Sequence, residues 1–189
     1  GSIDSLVSAN ANAGFSIVEY TGTGSAMTLP HGLSSAPDFV IVKNLTSSSA
    51  WAVFHTTLGA TKYLALNEDT AEGTASNVWN DTAPTATTIS VGTWGPVNTS
   101  ANQHIAYCFH DVTGYSKFGS YTGDGTTTKS ITTGFKVDFV LIKMSSGSEQ
   151  WVILDSKRGG TKYLQPNLSA AEGTESGVDV DFTSTGFTL

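Results

Sequence analysis

Residues 37–78 recur, without a gap, at residues 137–178, and eighteen of the 42 aligned positions are identical. Asp38-Phe39-Val40 returns as Asp138-Phe139-Val140, and Trp51 returns as Trp151. Gly59-x-Thr61-Lys62-Tyr63-Leu64 returns as Gly159-x-Thr161-Lys162-Tyr163-Leu164, and Ala71-Glu72-Gly73-Thr74 as Ala171-Glu172-Gly173-Thr174. A period of 100 residues is too long for one turn of a solenoid. It is the size of one small all-β domain. The repeat therefore predicts two tandem modules, residues 14–113 and 114–189, behind a linker or N-terminal arm at residues 1–13 that is rich in Ala, Ser and Asn.

Thr (27), Ser (23) and Gly (20) make up 70 of the 189 residues, while charged residues are only 13%. Thr favours strands, and Gly and Ser favour turns, so the mixture predicts many short strands joined by tight loops. Apolar and aromatic residues recur throughout, which separates this composition from a disordered one. No segment sustains a helical period, although the loops near Glu72 and Glu172 have room for one helical turn. The clearest strand is Asp38–Lys43, whose unbroken apolar run suggests burial on both faces. Ala50–His55, Lys62–Leu66, Thr87–Val91 and Gln103–His110 follow, and Asp138–Lys143, Gln150–Asp155 and Lys162–Leu164 mirror their partners. The predicted fold class is all-β: two β-sandwich, jelly-roll-like modules whose cores match through Phe39/Phe139, Trp51/Trp151 and Tyr63/Tyr163.

The net charge of −7 lies mostly in the first module. An acidic first module argues against nucleic acid as a partner, since that needs a basic footprint. Nothing approaches an 18-residue apolar run, so no membrane span is expected. Cys108 is the single cysteine, which excludes an internal disulfide. Four N-x-[ST] sequons, at Asn44, Asn80, Asn98 and Asn167, are what chance gives in a chain so rich in Ser and Thr.

Three groups of residues carry chemistry worth weighing. His104, Cys108 and His110 share one face of a strand, with Ile105, Tyr107 and Phe109 expected to face the core. One strand cannot close a tetrahedral zinc site and no CxxC accompanies it, so a packed thiol is the expected reading. The loop Asn67, Glu68, Asp69 and Glu72 could offer hard oxygens to calcium. The second copy keeps only Asn167 and Glu172, which favours hydrogen bonds from the recurring Asn and Glu to the backbone. Trp79 and Trp94 have no Trp counterparts, and Trp79 adjoins Asn80 and Asp81. An exposed indole beside Asn and Asp stacks on sugar C–H groups while the polar side chains bond hydroxyls; anchoring of the loop is the competing reading. No Gly-x-Ser-x-Gly, His-Glu-x-x-His or P-loop occurs, so the chain is not expected to be an enzyme and no cofactor is expected.

The strings Gly14-Phe15-Ser16-Ile17-Val18-x-Tyr20-Thr21-Gly22-x-Gly24, His31-Gly32-Leu33 and Phe39-Val40-Ile41-Val42-Lys43-Asn44 go together with Trp79-Asn80-Asp81-Thr82-Ala83-Pro84-Thr85 and Gly114-Tyr115-Ser116-Lys117-Phe118-Gly119-Ser120-Tyr121-Thr122-Gly123. As a set they resemble a repeat module of tail-fibre and other virion-associated proteins in tailed phages, many of marine origin. The resemblance implies a virion or extracellular location and a non-enzymatic structural or adhesion module of a tail fibre or appendage. With the Trp79 and Trp94 loops the expected partner is a host-surface glycan, and self-association is expected as a trimeric fibre or a head-to-tail polymer. The alternative is a purely structural repeat of a fibre or filament, assembled by strand exchange and binding no ligand. A counterpart of Gln103–His110 would fall near positions 203–210, beyond Leu189. The second module is thus expected to lack its last strand and to expose a sheet edge. That slot would be filled by further chain or by Ile3–Ser8, from this chain or a neighbour.

Overall fold

The computed structural model describes residues 1–126, 128–174 and 179–189. Positions 175–178, the last four of the sequence repeat, lie outside the described residues. The chain divides into two units: Gly1–Leu66, Glu72–Val112 and Ser116–Gly119 form the first, and Asn67–Ala71, Thr113–Tyr115 and Ser120–Leu189 the second.

The N-terminal segment, expected as a linker or arm, holds a strand. Ser5–Asn10 (β1) runs antiparallel to Phe15–Thr21 (β2), with Val7 opposite Val18. Asn10 accepts the Ala13 N–H through its side chain at 3.1 Å, and Gly14 turns the chain at a φ of +63°. A Cβ at Gly14 would lie 2.7 Å from the His110 carbonyl oxygen, so the turn needs glycine for space as well as for conformation.

The first unit continues through Met27–Pro30 (β3), Phe39–Asn44 (β4), Trp51–His55 (β5), Lys62–Ala65 (β6), Gly73–Thr74 (β7), the helical turn Ser76–Trp79 (α1), Thr88–Val91 (β8), a second turn Gly95–Asn98 (α2) and Gln103–Phe109 (β9). Seven strands make one sheet in the order β1-β2-β9-β4-β5-β6-β7, and β3 pairs with β8 apart from it. One face of the large sheet shares a single apolar cluster with β3, β8 and the two helical turns. Val18, Val40, Val42, Ala52, Phe54, Ala106 and Cys108 come from the sheet, and Leu29, Ile89, Val91, Trp79 and Val97 cover them. Each aliphatic side chain so buried contributes about 1.5–3 kcal/mol.

The face of β9 is the reverse of the expected one. His104, Ala106, Cys108 and His110 are buried, whereas Ile105, Tyr107 and Phe109 lie half-buried on the other side. Size explains the inversion. β9 is threaded between β2 and β4, where Tyr20, Phe54 and Trp79 already fill the cluster, and the small Ala106 and Cys108 fit there. The bulky side chains build a second aromatic layer on the opposite face. Phe109 lies 4.7 Å from Phe15, and Phe118 stacks on Phe39 at 5.6 Å.

The second unit contains Ser130–Thr132 (β10), Phe139–Ile142 (β11), Val152–Asp155 (β12), Lys162–Tyr163 (β13), Gly173–Thr174 (β14), Asp181–Phe182 (β15) and Gly186–Thr188 (β16). Its smaller core joins Val137, Val140, Leu154, Val180 and Phe187. Three pairings have counterparts in the first unit with 100 added to each number. Phe39↔His55 corresponds to Phe139↔Asp155, Lys62↔Thr74 to Lys162↔Thr174, and Pro30↔Thr88 to Ser130↔Thr188. The recurring Tyr and Gly have a steric reason. A Cβ on Gly73 would stand 2.4 Å from the Tyr63 ring, and one on Gly173 would stand 2.3 Å from Tyr163. The recurring Lys and Glu form ion pairs, Lys62 with Glu72 and Lys162 with Glu172.

Two differences from the first unit mark the second. Phe139 is 58% exposed where Phe39 is 7% exposed, so the two are not equivalent core residues. Tyr121–Gly125, which repeats the Tyr20–Gly24 string, forms no strand, whereas Tyr20 and Thr21 end β2. β2 is held between β1 and β9, and among the described residues the second unit offers no such neighbours. For the same reason β11 is paired on one side only, with β12.

Candidate functional site

β9 carries its histidines and its thiol into the core of the first unit. Cys108 is fully buried, and burial pushes its thiol up to about 12, which removes thiolate chemistry near neutral pH. His104 stacks on Tyr20 at 5.2 Å, with Nδ1 3.0 Å from the Asn102 carbonyl oxygen. His31 is fixed as one neutral tautomer: Nδ1 accepts the Leu33 N–H at 3.1 Å, which leaves Nε2 to donate to the Thr85 carbonyl at 3.2 Å. Burial lowers the imidazoles of both His31 and His104. Among the described residues no three His, Cys, Asp or Glu side chains come together as a metal-binding group.

The sugar-binding expectation for Trp79 is corrected by its burial. Trp79 is 2% exposed, packs edge-on against Phe54 at 5.9 Å and donates its indole N–H to the Lys62 carbonyl at 3.1 Å. No ring face is open to a sugar. Asn80 and Asp81 are exposed and occupy the left-handed region at φ 55° and 46°, where they reverse the chain after α1. Trp94 is half-buried and leans on Tyr63 at 4.9 Å. The sequon at Asn98 is closed, because the amide is fully buried and bonded on both sides.

The acidic loop divides differently from its sequence. Glu72 belongs to the first unit and pairs with Lys62 there. Asn67, Glu68, Asp69 and Thr70 belong to the second unit, where with Gln150, Asn167 and Leu168 they line an open cleft of about 360 Å³. Asn167 is held at both ends: its Oδ1 accepts the Trp151 N–H at 3.2 Å, and its Nδ2 donates to the Gln150 side chain. Gln150 Nε2 reaches Asp69 Oδ2 at 3.4 Å. The cleft thus presents carboxylate oxygens, amide groups and a 47% exposed Leu168. That set can bond hydroxyl groups, but no aromatic residue lines it.

Fold and sites together define an all-β protein in which, among the described residues, no helix is long and apolar enough to cross a membrane. The chain belongs to the family described as a domain of unknown function, DUF7483, whose model matches residues 1–189. No curated protein and no solved structure matches it.

Proposed function

We propose that this chain is a non-enzymatic structural module of an extended assembly, of the kind that builds a tail fibre or other virion appendage, and that its two units are copies of one β-module. The recurrence of three strand pairings at equivalent registers, 100 residues apart, supports this reading. Conservation of register preserves the fold of a unit, and what recurs with it is Tyr over Gly and Lys paired with Glu. Those contacts hold hairpins together and handle no substrate. The virion setting rests on the resemblance of the Gly14–Gly24 and Trp79–Thr85 strings to phage repeat modules.

Immunogold labelling of phage particles with antibody raised against this chain tests the proposal. Label along a tail fibre or appendage is the expected result, and label confined to the infected cell would refute it. A second reading, contact with a host-surface glycan, is favoured by the cleft at Asp69, Gln150 and Asn167. On a glycan array it requires binding that Asp69→Asn or Gln150→Ala weakens at least tenfold. Binding unchanged by both would remove the cleft from consideration.

A further inference from the structure

Side chains just past the end of β9 join a nucleophile to a base. His110 is buried, and its Nδ1 lies 2.7 Å from the Asp111 carbonyl oxygen. A carbonyl oxygen only accepts, so Nδ1 carries the proton, and Nε2 of the neutral ring is the acceptor. The Ser34 hydroxyl donates to that Nε2 at 3.4 Å, and Ser34 is exposed. The order is hydroxyl, imidazole, fixed oxygen: a nucleophile, its base and the group that orients the base. A separation at the long end of hydrogen-bond reach is common for such a pair before substrate binds.

Neighbouring contacts hold each part. The Asp111 N–H donates to Asp38 Oδ2 at 2.8 Å, and the Asp111 carboxylate accepts the Phe118 N–H at 2.7 Å and pairs with Lys117. These contacts fix the Asp111 carbonyl against the ring. The His110 N–H donates to the Gly14 carbonyl at 2.9 Å, and the Ser116 hydroxyl donates to the His110 carbonyl at 3.2 Å. A Cβ at Gly14 would lie 3.2 Å from His110 Cε1, so glycine also leaves room for the ring. On the serine side, Leu33 is buried in the first core and donates its N–H to His31 Nδ1, which pins the residue before Ser34. The N–H groups of Ser34 and Ser35 have no partner among the described residues and remain available to an oxygen that gains charge.

We infer that Ser34 is an acyl-accepting nucleophile with His110 as its general base, and that its substrate class is the esters of short carboxylic acids. Ser34 Oγ forms a bond to the acyl carbon, and the ester C–O bond breaks. The hydroxyl proton passes to His110 Nε2 and from there to the departing alcohol oxygen, so the step needs no further reactant. Exposure of Ser34 leaves the acyl group in solvent, which suits acetyl rather than a long chain. Acylation of one serine modifies the protein and does not depend on the module reading.

The test treats the 189-residue protein with para-nitrophenyl acetate and locates the acetylated residues by peptide mass spectrometry. Ser35 is the internal control, since it is exposed beside Ser34 and makes no bond to an imidazole. Ser34 should be acetylated at least about a hundredfold faster than Ser35, the scale of general-base assistance. Ser34→Ala should remove that acetyl group, and His110→Gln should lower the rate at Ser34 to that of Ser35. If His110→Gln fails to fold, the ratio of the two serines in the unsubstituted protein decides. Equal rates at both serines would overturn the inference, and so would a rate at Ser34 that His110→Gln leaves unchanged. Continued release of para-nitrophenolate beyond one equivalent, abolished by Ser34→Ala, would support the inference and refute only the non-enzymatic part of the proposed function. The immunogold result bears on the appendage reading alone, so the two fail separately.

Discussion

Asn98 offers the sharpest test of how the first unit is held together. It is fully buried, and its side chain makes four bonds. Oδ1 accepts the N–H of Thr23 at 2.8 Å and that of Gly24 at 3.4 Å, while Nδ2 donates to the carbonyls of Ser25 and Gly92, each at 2.7 Å. Asn98→Ala deletes all four, but the losses are unequal. The Gly24 N–H keeps a bond to the Asn98 main-chain carbonyl at 3.0 Å, and the Ser25 carbonyl keeps the Thr23 hydroxyl at 3.0 Å. Thr23 is exposed, so its N–H regains water. The buried Gly92 carbonyl is left with no donor. The lost Thr23 bond at about 1 kcal/mol and the orphaned Gly92 carbonyl at about 1–3 kcal/mol give a loss of about 2–4 kcal/mol. Asn98→Asp should cost more at pH 7, because a carboxylate oxygen then faces two carbonyl oxygens. It should recover part of that loss as acid protonates it. Urea unfolding followed by tryptophan fluorescence measures both variants. With a slope of about 1–3 kcal/mol per molar urea, the Ala variant should shift the midpoint by more than about 0.7 M. A loss below about 1 kcal/mol, or an Asp variant no worse than Ala at pH 7, would refute the argument.

Acid should destabilise the first unit. Burial lowers His31 and His104, so the folded state keeps them neutral while the unfolded chain takes up protons near the ordinary value of about 6.5. Their contribution is complete above that pH and is lost as the pH falls below it. The loss runs at up to about 1.4 kcal/mol per pH unit for each histidine, and a melting temperature that is flat between pH 8 and 5 would contradict it. Chelation should leave the melting temperature unchanged, because the Asn67–Glu72 loop gathers no metal-binding group; a drop of more than a few degrees in EDTA would show ligand-linked stability. Trp79→Ala should cost about 3–5 kcal/mol, as for a large aromatic cut from a core, and Trp94→Ala distinctly less; equal losses by calorimetry would contradict the burial difference.

Much of the strand pattern was legible in the sequence because alternation and turn residues are local signals. β4, β5, β6, β8 and β9 fall within a residue or two of the runs that predict them. The 100-residue repeat also singles out Tyr63, Gly73, Lys62 and Glu72. β1 is not legible because Ser5–Asn10 is short, mostly exposed and a strand only through pairing with β2. The orientation of β9 is not legible in the sequence, because bulk alone does not mark the core face. Which face is inward depends on the volume left by Tyr20, Phe54 and Trp79, and these come from distant parts of the chain. The burial of Trp79 is hidden for a related reason. The Asn80-Asp81 pair that suggested a sugar site is a turn signal, and the turn swings the preceding ring inward.

The position of β9 between β2 and β4 has a consequence in time. Ribosomal synthesis delivers the chain from its N-terminus, so β2 and β4 emerge well before the strand that joins them. The hairpins β4–β5 and β6–β7 close from neighbouring sequence and can form at once. Until Gln103–Phe109 leaves the ribosome, β4 carries the same open edge that β11 presents in the described structure. For that interval β4 is paired with β5 alone. Late arrival of β9 is then the step that commits the first unit to pairing with itself.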